Sequence, residues 1–160
     1  MAGAASVVVG AKVGTSIRHA TAAGHAEALL LNCIDFRLNA EVTDYMNARG
    51  LKHEYDQVIL AGASLGALTD AYPTWNTTFW DHLGLAIQLH GITKVIVIDH
   101  RDCGAYKLVL GEDLATTPDH ETAVHTEWLH ALRDAVEEAY PDLEVELHLM
   151  ALDGSVIDIT

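Results

Sequence analysis

Two cysteines and a histidine stand in two short segments that are far apart in the 160-residue chain. The first segment reads Cys33-Ile34-Asp35-Phe36-Arg37, and the second reads His100-Arg101-Asp102-Cys103-Gly104. Two thiolates and one imidazole suit a tetrahedral Zn²⁺ ion, and three protein ligands leave a fourth position open for water or substrate. Cys33, His100 and Cys103 are therefore candidate metal ligands in the arrangement of a catalytic site.

Asp35 and Arg37 follow the first cysteine by two and four residues. A carboxylate beside a zinc-bound water can accept its hydrogen bond or compete for the open metal position, and a neighbouring guanidinium keeps that carboxylate ionised. Because zinc lowers the pKa of bound water to about 7, hydroxide would be available near neutral pH. The two residues are a candidate catalytic pair for attack on a small electrophilic carbon. The alternative is an ordinary ion pair at a strand end.

Apolar runs and periodicity define the elements that must position these residues. They predict strands over residues 27–33, 57–61, 94–99 and 144–150, and helices over residues 39–49, 76–90 and 120–140. This alternation predicts an α/β fold, a single domain with a mostly parallel central sheet flanked by helices. Ligands bind at the carboxyl ends of such strands, so the two segments meet if their strands are neighbours in the sheet.

Several details of these elements are also predicted. Asn39 is expected to cap the first helix, residues 62–66 to form a loop of small residues near the pocket, and residues 144–150 to have one wet face. The last helix is expected to bury Val124, Trp128, Ala131, Leu132, Ala135 and Ala139. The remaining histidines are expected mostly at solvated positions: His82, His90, His120, His125, His130 and His148.

The chain is strongly acidic, with 23 Asp and Glu against 9 Lys and Arg and a formal net charge of -14. Such a surface repels phosphate backbones and anionic lipid, so we expect no nucleic acid and no membrane as partners. No apolar run approaches the roughly 20 residues of a membrane span, and no secretory signal is evident, which indicates a cytoplasmic protein. We expect residues 1–25 to form an N-terminal arm and residues 26–160 the catalytic domain.

The two segments resemble the β-class carbonic anhydrases, whose hallmarks are Cys-x-Asp-x-Arg and His-x-x-Cys-Gly. The resemblance extends over residues 27–159, and Gly154 to Asp158 looks like the family's closing segment with Ile157 in its Tyr position. It implies a β-carbonic anhydrase-like fold and a zinc enzyme that reversibly hydrates carbon dioxide to bicarbonate with a zinc-bound hydroxide. It also implies a homodimer or a higher homo-oligomer, with the ligands and the catalytic pair at the residues named above.

The chain departs from the family pattern beside the site. Phe36 stands where the family has Ser, and residues 60–64 stand where the family commonly has Arg-Asn. The apolar replacements at Phe36 and Leu60 favour an alternative substrate, carbonyl sulfide or carbon disulfide, with the same zinc site. Two further alternatives are a non-catalytic zinc-binding relative and a metal-free thiol redox protein that uses Cys33 and Cys103.

Overall fold

A five-stranded sheet runs through residues 24–160, the part of the chain that the computed structural model describes. The strands are β1 (Ala28–Asn32), β2 (Tyr55–Ile59), β3 (Lys94–His100), β4 (Glu144–Met150) and β5 (Val156–Asp158). They lie in the order β2-β1-β3-β4-β5, with β5 antiparallel to β4 and all other pairs parallel. The predicted α/β class and mostly parallel sheet are confirmed.

Within residues 24–160, five helices cover the two faces of the sheet. They are α1 (Asn39–Ala48), α2 (Ser64–Leu68), α3 (Pro73–His90), α4 (Gly104–Leu110) and α5 (Pro118–Ala139), and single 3-10 turns lie at Phe36–Leu38 and Leu114–Thr116. Among these residues, no helix combines the length and the apolar character that crossing a membrane requires. The cytoplasmic location stays a prediction, and the proposed arm lies outside the described residues apart from its last two positions.

The two central strands are buried on both faces, which explains their continuous apolar sequences. Leu29 and Leu31 pack with α3 and α5 on one side, whereas Leu30 packs with Val42 and Met46 of α1 on the other. Burying such a side chain contributes about 1.5 to 3 kcal/mol. The strands that carry the two segments are therefore the most fully buried part of the sheet, and they are neighbours, as predicted.

Some predicted boundaries are wrong near the loops. Asn39 is the first residue of α1 rather than its cap, because a 3-10 turn capped by Asp35 leads the chain directly into the helix. The second strand lies two residues earlier than predicted, at Tyr55–Ile59. Helix α2 begins at Ser64, inside the predicted loop. The small residues there do permit close approach, since a Cβ on Gly66 would lie 2.4 Å from the Ala61 carbonyl oxygen.

The buried stripe of α5 contains the predicted Leu132 but otherwise differs from the prediction. It consists of Glu121, His125, Leu129, Leu132 and Val136, so the helix is rotated by about one residue, roughly 100° at 3.6 residues per turn. Periodicity misplaced the stripe because two of its members are polar. The prediction that the remaining histidines are solvated is accordingly wrong for His125, which is fully buried.

The expected wet face of β4 is wrong at its carboxyl half. His148 is buried because Asp158 of β5 accepts a hydrogen bond from its ring Nδ1 at 2.9 Å, and because Tyr45 of α1 packs edge-on against it. Glu146 is partly covered by Arg49, the C-cap of α1, which donates a hydrogen bond to it. The addition of β5 and the position of α1 therefore close a face that alternation alone leaves open.

Candidate metal centre

The ligand atoms of Cys33, His100 and Cys103 all lie within 4.8 Å of one another. The two sulfur atoms are 3.9 Å apart. Two zinc–sulfur bonds of about 2.3 Å at a tetrahedral angle separate the sulfurs by about 3.8 Å. All three side chains are buried. The sulfur separation thus already fits a tetrahedral ion.

Each of the three residues is placed by the end of an element. Cys33 directly follows β1, His100 is the last residue of β3, and Cys103 is the N-cap of α4. The backbone N–H of Gly62 donates a hydrogen bond to the Cys33 sulfur at 3.3 Å. The cluster is therefore fixed by two neighbouring strands, one helix start and one glycine turn.

The imidazole of His100 is oriented for ligation. Its Nδ1 donates a hydrogen bond to the Arg101 carbonyl oxygen at 2.8 Å, which leaves the Nε2 lone pair free. Among residues 24–160, Nε2 of His100 and Nε2 of His125 are the buried side-chain nitrogen or oxygen atoms without a hydrogen-bond partner. A buried nitrogen without a partner is costly. Beside two sulfurs, a borderline-soft divalent ion satisfies it.

The two thiols affect each other's ionisation. A hydrogen bond from Cys103 lowers the pKa of Cys33 to about 4, against the effect of burial, and the neighbouring His100 and the Gly62 N–H lower it further. The same hydrogen bond to Cys33, together with burial, raises the pKa of Cys103. The pair therefore loses its first proton readily and holds its second tightly. A bound cation favours the loss of both.

Asp35 and Arg37 form a bidentate pair beside this cluster. Arg37 donates from Nε to Oδ1 of Asp35 at 2.9 Å and from Nη2 to Oδ2 at 2.7 Å, and its backbone N–H adds a third bond at 3.0 Å. The Arg37 guanidinium lowers the pKa of the Asp35 carboxyl to about 2. Asp35 Oδ2 lies 3.9 Å from His100 Nε2. An ionised acceptor is therefore held at the edge of the cluster.

A buried carboxylate next to the cluster was missed by the sequence analysis. Asp99 is buried, and its two oxygens accept hydrogen bonds from the Ser64 N–H at 3.0 Å, the Ser64 hydroxyl at 2.7 Å, the Tyr106 hydroxyl at 2.7 Å and His125 Nδ1 at 2.9 Å. Burial and the Asp99 charge raise the pKa of Tyr106 well above its usual value, so the phenol stays a donor. The network joins β3 to the starts of α2 and α4 and to α5.

The residues that depart from the expected pattern lie in different surroundings. Leu60 is buried and packs in the core, so it offers no apolar wall at the metal centre. Phe36 is 82% exposed, directly after Asp35. Of the two apolar replacements, only Phe36 is placed where a substrate could meet it.

Comparison of the sequence with known proteins gives a family and two relatives. A family model described as "Putative carbonic anhydrase" matches residues 23–151. An uncharacterized protein of Rickettsia conorii is 40% identical over 148 residues, which is 92% of this chain and 80% of that protein. An uncharacterized protein of Rickettsia bellii is 39% identical over 148 residues, which is 92% of this chain and 90% of that protein.

Comparison of the structure finds β-carbonic anhydrases. Isoform I of Trichomonas vaginalis matches with a TM-score of 0.52 and 17% identity, over 91% of this chain and 86% of that one. The enzyme CafD of Aspergillus fumigatus matches with a TM-score of 0.57 and 14% identity, over 85% of this chain and 90% of that one. At such identities the likeness concerns the fold.

Proposed function

Because this chain belongs to the carbonic anhydrase family of that model and has a β-carbonic anhydrase-like fold, we propose that it is a zinc enzyme that reversibly hydrates carbon dioxide to bicarbonate. The observation that carries the proposal is the convergence of two cysteine sulfurs and one imidazole nitrogen within 4.8 Å. Three such ligands leave a fourth position for the reaction, whereas a purely structural zinc site is closed by four protein ligands.

Cys33, Cys103 and Nε2 of His100 would hold the ion. Their donor set suits zinc, their sulfur separation fits a tetrahedron, and the free nitrogen needs a partner. When bound, zinc acidifies a coordinated water so that hydroxide is available near neutral pH. A metal-free thiol redox protein would use only the two sulfurs, whereas the cluster also includes the His100 nitrogen, and this supports the metal site over that alternative.

Asp35 and Arg37 would orient the reacting groups. The Asp35 carboxylate stays ionised because Arg37 supplies three hydrogen bonds to it. Its Oδ2, the oxygen nearer to His100, can therefore accept a hydrogen bond from the nucleophile. This hydrogen bond would orient the nucleophile so that a lone pair of its oxygen points at the substrate carbon. Such positioning speeds an addition. Arg37 stays protonated throughout and holds the carboxylate in place.

We propose a homodimer or a higher homo-oligomer as the working form. Ile34 and Phe36 flank Asp35 and are 61% and 82% exposed. Large apolar side chains concentrated beside a site are typical of a surface that another subunit covers. Light scattering of the purified protein tests this, with a monomer mass as the contrary result.

A second candidate substrate is carbonyl sulfide or carbon disulfide, whose linear electrophilic carbons suit the same metal site. The exposed Phe36 favours it, because an aromatic ring beside Asp35 adds apolar surface where a hydroxyl would favour a more polar substrate. Sulfide release measured beside carbon dioxide hydration separates the two activities. Brisk sulfide release without hydration would replace the first proposal by the second.

Stopped-flow hydration of carbon dioxide by zinc-loaded protein tests the main proposal. We expect activity in the unmodified protein, and we expect Asp35→Asn to retain zinc while losing about 100-fold in rate, the scale of a positioned proton acceptor. Asp153→Asn is a matched control, because Asp153 is an exposed Asp that pairs with Ser155 in a distant turn. A non-catalytic zinc-binding relative would show no hydration before or after either change.

A further inference from the structure

Glu121 is a buried carboxylate that the proposed mechanism does not use. It lies in the first turn of α5, and its side chain is 4% exposed. Its Oε1 accepts the backbone N–H of Asp102 at 2.6 Å, and its Oε2 accepts Arg101 Nη1 at 3.0 Å. A buried charge of this kind is kept only where both oxygens have good partners. Both partners here belong to the loop between β3 and α4.

Asp102 has an unusual backbone conformation in that loop. Its φ is +55°, in the left-handed region that Asp tolerates better than most residues but that still has an energetic cost. The hydrogen bond from its N–H to Glu121 holds this conformation. The same conformation turns the Asp102 carboxylate towards the loop after β1.

Asp102 binds the Arg37 guanidinium, which in turn binds Asp35. Its Oδ2 accepts Arg37 Nη1 at 2.7 Å, and its carbonyl oxygen accepts Arg37 Nη2 at 3.0 Å. Arg37 is thereby held from both sides, by Asp35 within its own loop and by Asp102 across the cleft. The side chain of Arg37 is 34% exposed, so without a second anchor its long stem would keep rotamer freedom.

We propose that Glu121 is a positioning residue: through Asp102 and Arg37 it sets the Asp35 carboxylate at the metal centre. The expected effect of Glu121 on the reaction rate rests on the proposed function. The contacts from Glu121 to Asp35 do not depend on it. The chain from Glu121 to Asp35 passes through three hydrogen-bonded contacts of 2.6, 2.7 and 2.7 Å. Glu121 is the buried end of this chain, Asp102 is exposed, and Arg37 and Asp35 are partly buried, so the buried end supplies the rigidity.

Kinetics of three variants test the positioning role. Glu121→Gln keeps the side-chain shape but removes the charge and leaves one acceptor oxygen for the two donors, the Asp102 N–H and the Arg101 guanidinium. Asp102→Gly relaxes the left-handed backbone and removes the carboxylate. We expect each to lower kcat about 10-fold with KM and zinc content unchanged, since misplacement of an orienting group acts on the reacting geometry. Glu127→Gln is the matched control, because it makes the same change at an exposed position of the same helix and should leave kcat unchanged.

A double variant separates positioning from a general structural role. If Glu121 acts through Asp102, Glu121→Gln combined with Asp102→Gly lowers kcat about 10-fold, no more than either change alone. Multiplying losses, about 100-fold together, would overturn the proposal, as would an unchanged kcat in Asp102→Gly. Asp102→Asn keeps an acceptor oxygen and the tolerated backbone, and it should recover part of the rate lost in Asp102→Gly. If Glu121→Gln does not fold, an unchanged kcat in Asp102→Gly still overturns the proposal, because the effect of Glu121 on Arg37 must pass through Asp102.

A readout independent of activity keeps this test distinct from the proposed function. In ¹⁵N NMR of the zinc-loaded protein, we expect a slowly exchanging Arg37 Nε–H that exchanges at least about 10-fold faster in Glu121→Gln and is unchanged in Glu127→Gln. If hydration is absent but this difference is found, the proposed reaction is wrong and the positioning chain stands. If Arg37 exchanges equally fast in all three proteins, the chain is wrong whatever the activity.

Discussion

Asp99 and His100 are neighbours at the end of β3, yet the structure treats them in opposite ways. Side chains alternate along a strand, so the two point to opposite sides of the sheet. Asp99 meets four donors from Ser64, Tyr106 and His125 and has every oxygen satisfied. His100 has one nitrogen satisfied and, within residues 24–160, no partner for the other. The satisfied neighbour supports the fold, and the unsatisfied one is left free for a ligand.

The comparison also shows when a buried nitrogen without a partner indicates a metal. His125 shares that feature with His100, since its Nε2 likewise has no partner among the described residues. Its surroundings differ, because its Nδ1 binds the Asp99 carboxylate and its ring packs 4.0 Å from that of Tyr106, centroid to centroid. Of these two imidazoles, only the one beside two sulfurs belongs to a possible ligand cluster. The convergence of soft donors is therefore the decisive feature.

His100→Gln should have the largest effect on zinc affinity and hydration rate, and it is the strongest test of the contrast between His100 and Asp99. We expect zinc affinity and hydration rate to fall at least about 1000-fold, because one of three ligands is lost. The free energy of unfolding of the metal-free protein should change by no more than about 1 kcal/mol, the value of the single hydrogen bond that His100 makes. Elemental analysis and urea unfolding measure the two quantities. His120→Gln, an exposed histidine, is the control.

Asp99→Asn should show the reverse pattern, a loss of stability without a loss of zinc. We expect the free energy of unfolding to fall by about 3 kcal/mol, because an amide cannot accept from all of the buried donors. Zinc should still bind at low temperature, since none of the three candidate ligands is changed. Urea unfolding at neutral pH gives the first quantity and elemental analysis the second. Loss of zinc with unchanged stability would reverse the roles assigned to the two neighbours.

The ion pair of Asp35 predicts a specific pH dependence of stability. Its pKa is lowered from 3.8 to about 2 by Arg37, so its stabilisation is complete above about pH 4 and is lost as the pH falls towards 2. A shift of this size corresponds to about 2 kcal/mol for a group that is 13% exposed. The difference in unfolding free energy between the unmodified protein and Asp35→Asn should therefore be constant from pH 7 to 5 and shrink below pH 4. A difference that grows as the pH falls would contradict the claim that the ion pair of Asp35 with Arg37 stabilises the fold.

Phe36→Ser should have the smallest effect on stability. Since the ring is 82% exposed, we expect a change in unfolding free energy of less than about 0.5 kcal/mol. If the ring favours apolar substrates, the ratio of sulfide release to carbon dioxide hydration should fall in this variant. An unchanged ratio would remove Phe36 as the reason for the second candidate substrate.

The sequence predicted the two central strands and the clustering of the three candidate ligands because those signals are local and strong. The apolar run of β3 and the spacing of His100 and Cys103 both lie within a few residues. The short helices α2 and α4 were missed, since 5 and 7 residues give too little periodicity to detect.

The supporting residues escaped the sequence analysis for a different reason. Glu121 and His125 are polar residues in a buried helix face, and polar residues were assigned to solvent. A signal was present, because continuing the stripe of Leu129, Leu132 and Val136 backwards by fours reaches His125 and then Glu121. Their partners Asp99 and Asp102 are far away in the sequence, so the reason for their burial becomes visible only in three dimensions.

X-ray absorption at the zinc edge, on protein purified without chelator, tests the central claim most directly. We expect one zinc per chain, surrounded by two sulfurs at about 2.3 Å and by nitrogen or oxygen ligands at about 2.0 Å. Absence of zinc, or a coordination shell without sulfur, would contradict the claim that Cys33, His100 and Cys103 hold the metal.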